Sequence, residues 1–301
     1  MLTDKIEIIM QYVCCPDCKA NIVFESTNFI CTECHREFPY SDDVLEMLPS
    51  QPVHYAFNQR SSYHEKIYTK LFHTKKEEAD LEKSWAPPEL VPAKWLKTKM
   101  YHVNFIKTLI ENNTTQRNSF CDFSGGSGYY TFEYNKMFDF IFHCDLSIES
   151  MLYTKKRADK QNIHNIIFIR TDYTQPPFNG TLDLIYCGDS LIYSPFHEGL
   201  VLNGMKQSLK EEGHAIFDFH NWWHNPLKRL GIMKNDFGAC YSYTKQQTDD
   251  YVKHLFPLHS YHSYFQDFAN GQRASLIPGF FPNTRHTYIA QKNSTLKKSE
   301  N

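Results

Sequence analysis

Five short apolar runs alternating with stretches of helical periodicity constrain this chain more than any other feature. The runs are Ser119 to Phe123, Phe138 to Cys144, Ile166 to Arg170, Leu182 to Cys187 and His214 to Phe219. Helical patterns lie between them at 129–136, 147–161 and 197–210. Such alternation folds as βαβ units with a parallel sheet and right-handed crossovers. A further amphipathic helix fits Lys94 to Asn112, because Leu96, Met100, Val103, Ile106, Leu109 and Ile110 recur at spacings of three and four on one face. A final antiparallel hairpin is expected to close on Thr287-Tyr288-Ile289-Ala290.

The first run ends in a glycine-rich stretch, FCDFSGGSG at residues 120–128, directly ahead of a helical segment. In open α/β sheets, ligands bind outside the carboxyl ends of the strands. Gly126 and Gly128 carry no Cβ, which permits a tight turn and a close approach to a ligand. The next strand ends in His143-Cys144-Asp145-Leu146-Ser147, and an acid there is the usual partner of ribose hydroxyls in nucleotide folds. The third ends in Arg170-Thr171-Asp172-Tyr173, offering a carboxylate and a ring to an adenine amino group and face. The fourth ends in Cys187-Gly188-Asp189-Ser190. A dinucleotide loop is the competing reading, but it carries G-x-G-x-x-G, which the tight spacing here does not match.

Five of the nine cysteines fall within the first 34 residues: Cys14, Cys15, Cys18, Cys31 and Cys34. Cys15-Pro-Asp-Cys18 and Cys31-Thr-Glu-Cys34 form two CxxC pairs separated by twelve residues. Two tight turns of this kind aim four thiolates at one point, which predicts a tetrahedral zinc site on Cys15, Cys18, Cys31 and Cys34. Cys14 and His35 adjoin ligands and are the possible substitutes. Between the pairs, Ile22-Val23-Phe24 and Asn28-Phe29-Ile30 flank a turn at Glu25-Ser26-Thr27. A module of this size gains much of its stability from metal. Paired disulfides conflict with a reducing compartment, and a redox pair lacks its surrounding βαβ pattern. Cys121, Cys144 and Cys187 sit in apolar runs and read as small buried hydrophobes.

Taken in order, these strand ends resemble the class I S-adenosylmethionine-dependent methyltransferases. That family carries a D-x-G-x-G-x-G loop, an acid after strand two, an aspartate after strand three, an FD-type fourth strand and an L-x-x-G-G turn before strand five. The likeness covers residues 119 to 220 well and the C-terminal part loosely. It implies an α/β, Rossmann-like methyltransferase sheet, mostly parallel with an antiparallel last strand, preceded by a small zinc ribbon. The expected organisation is ribbon 1–49, helical linker or lid 50–118, methyltransferase domain 119–292 and disordered tail 293–301. By the same likeness Asp122, Gly126 and Gly128 frame the methionine end of the cofactor. Asp145 holds the ribose hydroxyls, Asp172 and Tyr173 meet the adenine, and Ser124, Leu146 and Gly188 complete the expected contacts. Two positions depart from the pattern: Ser124 replaces the first glycine, and Glu212 replaces the first of the two glycines before strand five. A serine at positive φ carries strain of about 1–3 kcal/mol. The segment from Phe38 to Pro49 is similar to the ending of the zinc-ribbon proteins that activate tRNA methyltransferases.

A methyl sulfonium is already activated, so transfer needs mainly proximity and in-line orientation. A base matters only where the acceptor sheds a proton. Asp189, His220 and His224 are the expected catalytic residues, with Tyr193, His197, Asn221, Trp222 and Trp223 nearby in sequence. His220-Asn221-Trp222-Trp223-His224 reads either as base and orienter or as an aromatic lid, and Asp189 either faces the methyl group or caps a helix. His254, His259 and His262 lack a fixed ligand spacing, and Arg273 and Arg285 are candidates to anchor an acidic substrate or a backbone carbonyl. The formal charge of −2 gives no global pull toward nucleic acid. Between Asp17 and Glu46 the ribbon holds seven acids against Lys19 and Arg36, which favours a small-molecule acceptor, natural-product-like or aromatic. RNA is the alternative partner, because a ribbon ahead of such a domain is similar in layout to ribosomal-RNA guanine methyltransferases. A non-catalytic scaffold whose ribbon docks a partner is the third reading. DNA and membranes are not expected partners. With no run of about 18 apolar residues and no secretory pattern in the first residues, a cytoplasmic protein is expected.

Overall fold

The computed structural model describes residues 2–51, 93–191, 197–221, 243–265 and 283–292. The expectations for the linker at 52–92, for Tyr193, Trp222, Trp223, His224 and Arg273, and for the tail at 293–301 lie outside those residues.

Helix α1 (Leu2–Tyr12) leads into four short strands, β1 (Ile22–Glu25), β2 (Asn28–Cys31), β3 (Glu37–Ser41) and β4 (Val44–Glu46). Each strand pairs antiparallel with the next. The hairpin expected around Ser26 is present, with Glu25 opposite Asn28. The β3–β4 turn places Asp42 and Asp43 at φ 50° and 63°. Such two-residue hairpins need positive φ at both central positions, and aspartate tolerates this better than most residues.

The main unit follows as α2 (Ala93–Asn113), β5 (Ser119–Phe123), α3 (Tyr129–Tyr134), β6 (Phe140–Asp145), α4 (Ile148–Lys160), β7 (Ile166–Arg170) and β8 (Leu182–Cys187). It continues with α5 (Glu198–Ser208), β9 (Leu209–His220), α6 (Lys245–Leu255), β10 (Leu258–Phe265) and β11 (Asn283–Gln291). One sheet joins all the strands in the order β1-β2-β3-β4-β7-β6-β5-β8-β9-β11-β10. Strands β4 to β9 pair in parallel along this order, and β11 lies antiparallel between β9 and β10. This is the parallel βαβ sheet that the alternating pattern predicted, with the Rossmann-like order and antiparallel last strand that the resemblance implied. β5 and β8 are buried at every residue, as parallel strands covered on both faces must be. On one face Phe123, Phe142, Phe178 and Phe217 pack with Ile9, Tyr12 and the ribbon's Phe29 and Phe38. On the other, Val103, Ile106 and Ile110 of α2 cover Phe120, Ile141, Phe168 and Ile216.

Three features were not anticipated. α1 carries no strong start signal in the sequence, and the ribbon's last strand continues the main sheet by pairing with β7. β9 also begins earlier than its apolar core, at Leu209, across a register shift between Leu182 and Leu184. Gly213 explains how: a Cβ there would lie 2.8 Å from the Leu182 carbonyl oxygen. Glu212, in the place of a usual glycine, is exposed and carries no such restriction.

Asp183 pins the centre of the sheet. Its buried carboxylate accepts the backbone N–H groups of Asn118 and Ser119 at 3.1 and 3.0 Å and the Lys210 ammonium at 2.6 Å. Replacing it leaves the buried Ser119 N–H and the part-buried Asn118 N–H without their acceptor. Asp183→Ala is therefore expected to lower the unfolding free energy by about 2–3 kcal/mol, read from urea denaturation. A change below about 0.5 kcal/mol, the level of an ordinary surface substitution, would show that the register is held elsewhere.

Candidate active site

The glycine-rich stretch leaves β5 through a turn with Ser124 at φ 58°, Gly126 at 53° and Gly128 at 78°. Ser124 thus occupies the left-handed region, where a side chain is strained. Gly125 packs on the ring of His143 so closely that a Cβ would lie 2.4 Å from it. A Cβ on Gly128 would lie 2.8 Å from Thr154. The loop is fastened to its neighbours by Gly125 N–H to the Cys144 carbonyl at 3.0 Å and by Gly126 N–H to the Asp145 carboxylate at 2.9 Å. Ser150 and Thr154 of α4 donate to the Gly126 carbonyl.

The predicted cofactor positions come together at the carboxyl ends of β5, β6, β7 and β8. Asp145 spans Gly126 N–H and, at 3.0 Å, Ser147 N–H. Leu146 follows it, its carbonyl accepting Arg170 Nε at 2.8 Å. Asp172 is fully buried, and one carboxylate oxygen accepts the backbone and hydroxyl of Thr174 at 2.9 and 2.8 Å. Its other oxygen, Oδ2, has no hydrogen-bond partner among the described residues. A buried acceptor of this kind fits an amino group supplied by a ligand. Tyr173 is buried, its hydroxyl donating to the Ser190 carbonyl at 3.4 Å. Gly188 has the Tyr186 hydroxyl directly beneath it, where any Cβ would clash. Asp122 accepts the backbone and hydroxyl of Thr131 in α3 at 3.1 and 2.7 Å.

Beyond β8 and β9 lies a polar cluster that sequence alone only half disclosed. Asp189, at φ 59°, accepts His220 Nε2 at 3.0 Å and Lys99 Nζ at 3.2 Å, and forms an ion pair with Arg285. Arg285 also donates to Asp218 at 3.2 Å, and His102 bonds the Tyr130 hydroxyl at 2.6 Å. Asp189 and His220, two of the expected catalytic residues, are thus in contact. Arg285 is turned inward between two carboxylates. Burial works to raise the Asp189 carboxyl, yet the charges of Arg285 and Lys99 and the His220 bond hold it well below the ordinary value. Burial, supported by Arg285, keeps His102 neutral. Asp189, Asp218 and His220 bring three ligand-type atoms within 4.8 Å of one another, but the guanidinium of Arg285 already supplies the cation there. Lys99, His102, Asp218 and Tyr130 were not singled out in the sequence. Asp218 lies within the predicted fifth strand, where an acid in an apolar run was the available signal.

The four cysteines converge as spaced. Their sulfurs lie within 4.8 Å of one another, with Cys15–Cys34 at 3.7 Å and Cys18–Cys31 at 3.4 Å. A tetrahedral ion with bonds of about 2.3 Å needs sulfurs about 3.8 Å apart, so the donor set fits zinc. Each pair is followed by a left-handed residue, Lys19 at φ 62° and His35 at 57°. Their N–H groups close back on the Cys15 and Cys31 carbonyls at 3.0 and 3.1 Å. Cys14 is buried and bonded through its backbone to Pro177, outside the cluster. His259 and His262 bond the Phe256 carbonyl and the Ser260 hydroxyl.

Residues 120–213 match the family described as a methyltransferase domain. The match covers the central strands from β5 to the start of β9, less than half of the chain. The chain is similar in structure to geranyl diphosphate C-methyltransferase from Streptomyces coelicolor, with a TM-score of 0.54, 12% identity, and 81% of this chain and 100% of that one covered. It is also similar to magnesium protoporphyrin IX methyltransferase from Synechocystis, solved with bound S-adenosylhomocysteine, with a TM-score of 0.53 and 13% identity over 78% of this chain and 99% of that one. A protein from Pyrococcus horikoshii aligns at a TM-score of 0.50 and 16% identity over 64% of this chain and 90% of its own. No curated protein matches the sequence. Among the described residues no helix is long and apolar enough to cross a membrane, which says nothing of β-barrels.

Two substitutions test the loop and its support. Ser124→Gly removes a side chain from a left-handed position and is expected to keep or raise stability, whereas Ser124→Val lowers it by about 1–2 kcal/mol in urea denaturation. If both lower it equally, the backbone strain is not carried at Ser124. Burial raises the Asp122 carboxyl to about 7, with the Thr131 bonds and Lys99 acting against it. The unfolded chain ionises this group near pH 4, so between about pH 4 and 7 the native state holds a proton that the unfolded state has released. Stability therefore falls as pH rises through that window. Asp122→Asn is expected to flatten this limb, and an unchanged slope would remove Asp122 as its source.

Proposed function

We propose that the protein transfers the methyl group of S-adenosylmethionine to a small-molecule acceptor seated over the ends of β8 and β9. The observation that carries this reading is the part-buried Asp189–His220–Arg285 cluster after β8 and β9, together with a loop after β5 whose Gly126 N–H is held by Asp145. The cofactor, when bound, supplies a methyl sulfonium that is already activated. The chain's own residues then bind, orient and exclude water. The glycine-rich loop offers backbone without side chains to the methionine end. Asp145 faces the ribose hydroxyls, and Asp172 Oδ2 with the Tyr173 ring receives the adenine. Ser124, Leu146 and Gly188 line the same cleft.

His220 is the base in this reading. Its Nε2–H donates to Asp189, which fixes ring orientation and tautomer and stabilises a proton gained at Nδ1. Lys99 and Arg285 hold Asp189 ionised for that task. Such a pair serves an acceptor whose hydroxyl or other acidic group must lose its proton.

Two considerations favour a small molecule over RNA. The cations of residues 1–49 are engaged within the chain, Lys5 pairing with Asp43 at 2.5 Å, Lys19 donating to the Pro176 carbonyl at 2.7 Å and Arg36 pairing with Asp17 at 2.5 Å. Two of the similar structures are enzymes named for small acceptors, a porphyrin and geranyl diphosphate. We place a structural zinc ion on Cys15, Cys18, Cys31 and Cys34, supported by their sulfur spacing.

Methyl-labelled cofactor offered with a metabolite fraction and with RNA, each with and without nuclease, checks the reading. Label should enter a nuclease-resistant small acceptor. Label in RNA would replace this reading, and no transfer despite cofactor binding would make the domain a scaffold. His220→Gln is expected to slow transfer by about 10²–10⁴-fold, the ordinary worth of a positioned base, while S-adenosylhomocysteine affinity stays within about threefold.

A further inference from the structure

The ribbon grips one segment of the methyltransferase sheet at several points. β4 pairs with β7, Val44 opposite Phe168 and Glu46 opposite Arg170, and Met47 N–H donates to the Arg170 carbonyl at 2.8 Å. Directly after β7 come Asp172 and Tyr173, and the chain then runs to β8. That connection is held from the ribbon side along its length. Lys19 Nζ donates to the Pro176 carbonyl at 2.7 Å, and Cys14 N–H donates to the Pro177 carbonyl at 2.9 Å. Val13 forms a bridge with Phe178, and the Thr181 hydroxyl donates to the Tyr12 carbonyl at 2.7 Å.

Lys19 joins the two sites in a single residue. It follows Cys18, and its left-handed backbone closes the first cysteine turn through its N–H to the Cys15 carbonyl. Its side chain reaches the segment that carries Asp172 and Tyr173. A second link runs through Glu46, whose carboxylate meets Arg170 Nη1 at 3.3 Å, while Arg170 Nε donates to the Leu146 carbonyl beside Asp145. Both the adenine side and the ribose side of the cleft are therefore tied to residues whose placement depends on the folded ribbon.

We infer that the metal-loaded ribbon is a clasp for the cofactor pocket, with Lys19 and Glu46 as positioning residues, so that metal affinity and cofactor affinity rise and fall together. This rests on the reading of Asp172, Tyr173 and Leu146 as walls of the cofactor site. Coupling between two binding sites is reciprocal, so each ligand must strengthen the other by the same factor. The clasp is a different role from gripping a polymer, and it explains why the ribbon's acidic character is no handicap.

The test uses the full chain loaded with zinc. S-adenosylhomocysteine is titrated by calorimetry into the wild type, Lys19→Met and Glu46→Gln, and zinc affinity is measured by chelator competition with and without saturating S-adenosylhomocysteine. Both variants are expected to bind S-adenosylhomocysteine at least about fivefold more weakly while retaining zinc, and the ligand should tighten zinc binding by a similar factor in the wild type. Unchanged ligand affinity in zinc-retaining variants, with no effect of the ligand on zinc, overturns the clasp. If Lys19→Met loses zinc or fails to fold, Glu46→Gln decides alone, because it lies outside the cysteine turns. Failure of the zinc-loaded wild type to bind S-adenosylhomocysteine overturns the cofactor reading itself and the clasp with it, an outcome distinct from all the others.

Discussion

The site depends on one register, that of β5 between β6 and β8. Asp122 stands beside His143 on one side and Tyr186 on the other. That alignment ends three strands at a common level, so the loop after β5, Asp145 at the end of β6 and Gly188 after β8 lie along one edge of the sheet. Asp183 holds the register at the opposite end of the strands through two backbone N–H groups and Lys210. A slip of one residue would turn every side chain of a strand to the opposite face. Both hydrophobic clusters, one on each face, oppose such a slip.

The cluster around Asp189 shows charge being used for placement. Burying carboxylates is costly, and their pairing with Arg285 offsets that cost without making the group a source of large stability. What it secures is position. Asp218 accepts Asp189 N–H at 3.1 Å and shares Arg285 with the Asp189 carboxylate. The left-handed turn at Asp189 and the orientation of His220 are thereby set by one cation. Burial raises the Asp218 carboxyl, with Arg285 opposing it, so the two acids of the pair are driven in opposite directions by their surroundings.

The ribbon is built into the main sheet rather than appended to it. Its cysteines can be read from spacing, but its outer strand is the neighbour of β7, and its Lys19 reaches over the following connection. Ile9, Tyr12 and Phe29 also share a core with Phe142 and Phe178 of the main unit. Ribbon and main sheet therefore share buried surface.

Local patterns in the sequence determined the parallel strands at Ser119–Phe123, Ile166–Arg170 and Leu182–Cys187, the helix over the α2 region, and the convergence of Cys15, Cys18, Cys31 and Cys34. These depend on periodicity and short spacing, which few neighbours can overrule. The acids at the strand ends were legible for the same reason, since a βαβ pattern alone places them at one edge. The sign of φ at Ser124 was not legible, because a serine states no backbone preference strong enough to reveal it. Tertiary structure alone decided that Arg285, 67 residues from Asp218 in the chain, would lie between two carboxylates. That meeting requires β11 to insert beside β9, a pairing set by the packing of the whole sheet. It also decided that the ribbon would extend β7, because a strand edge carries no mark in the sequence of the strand that will cover it.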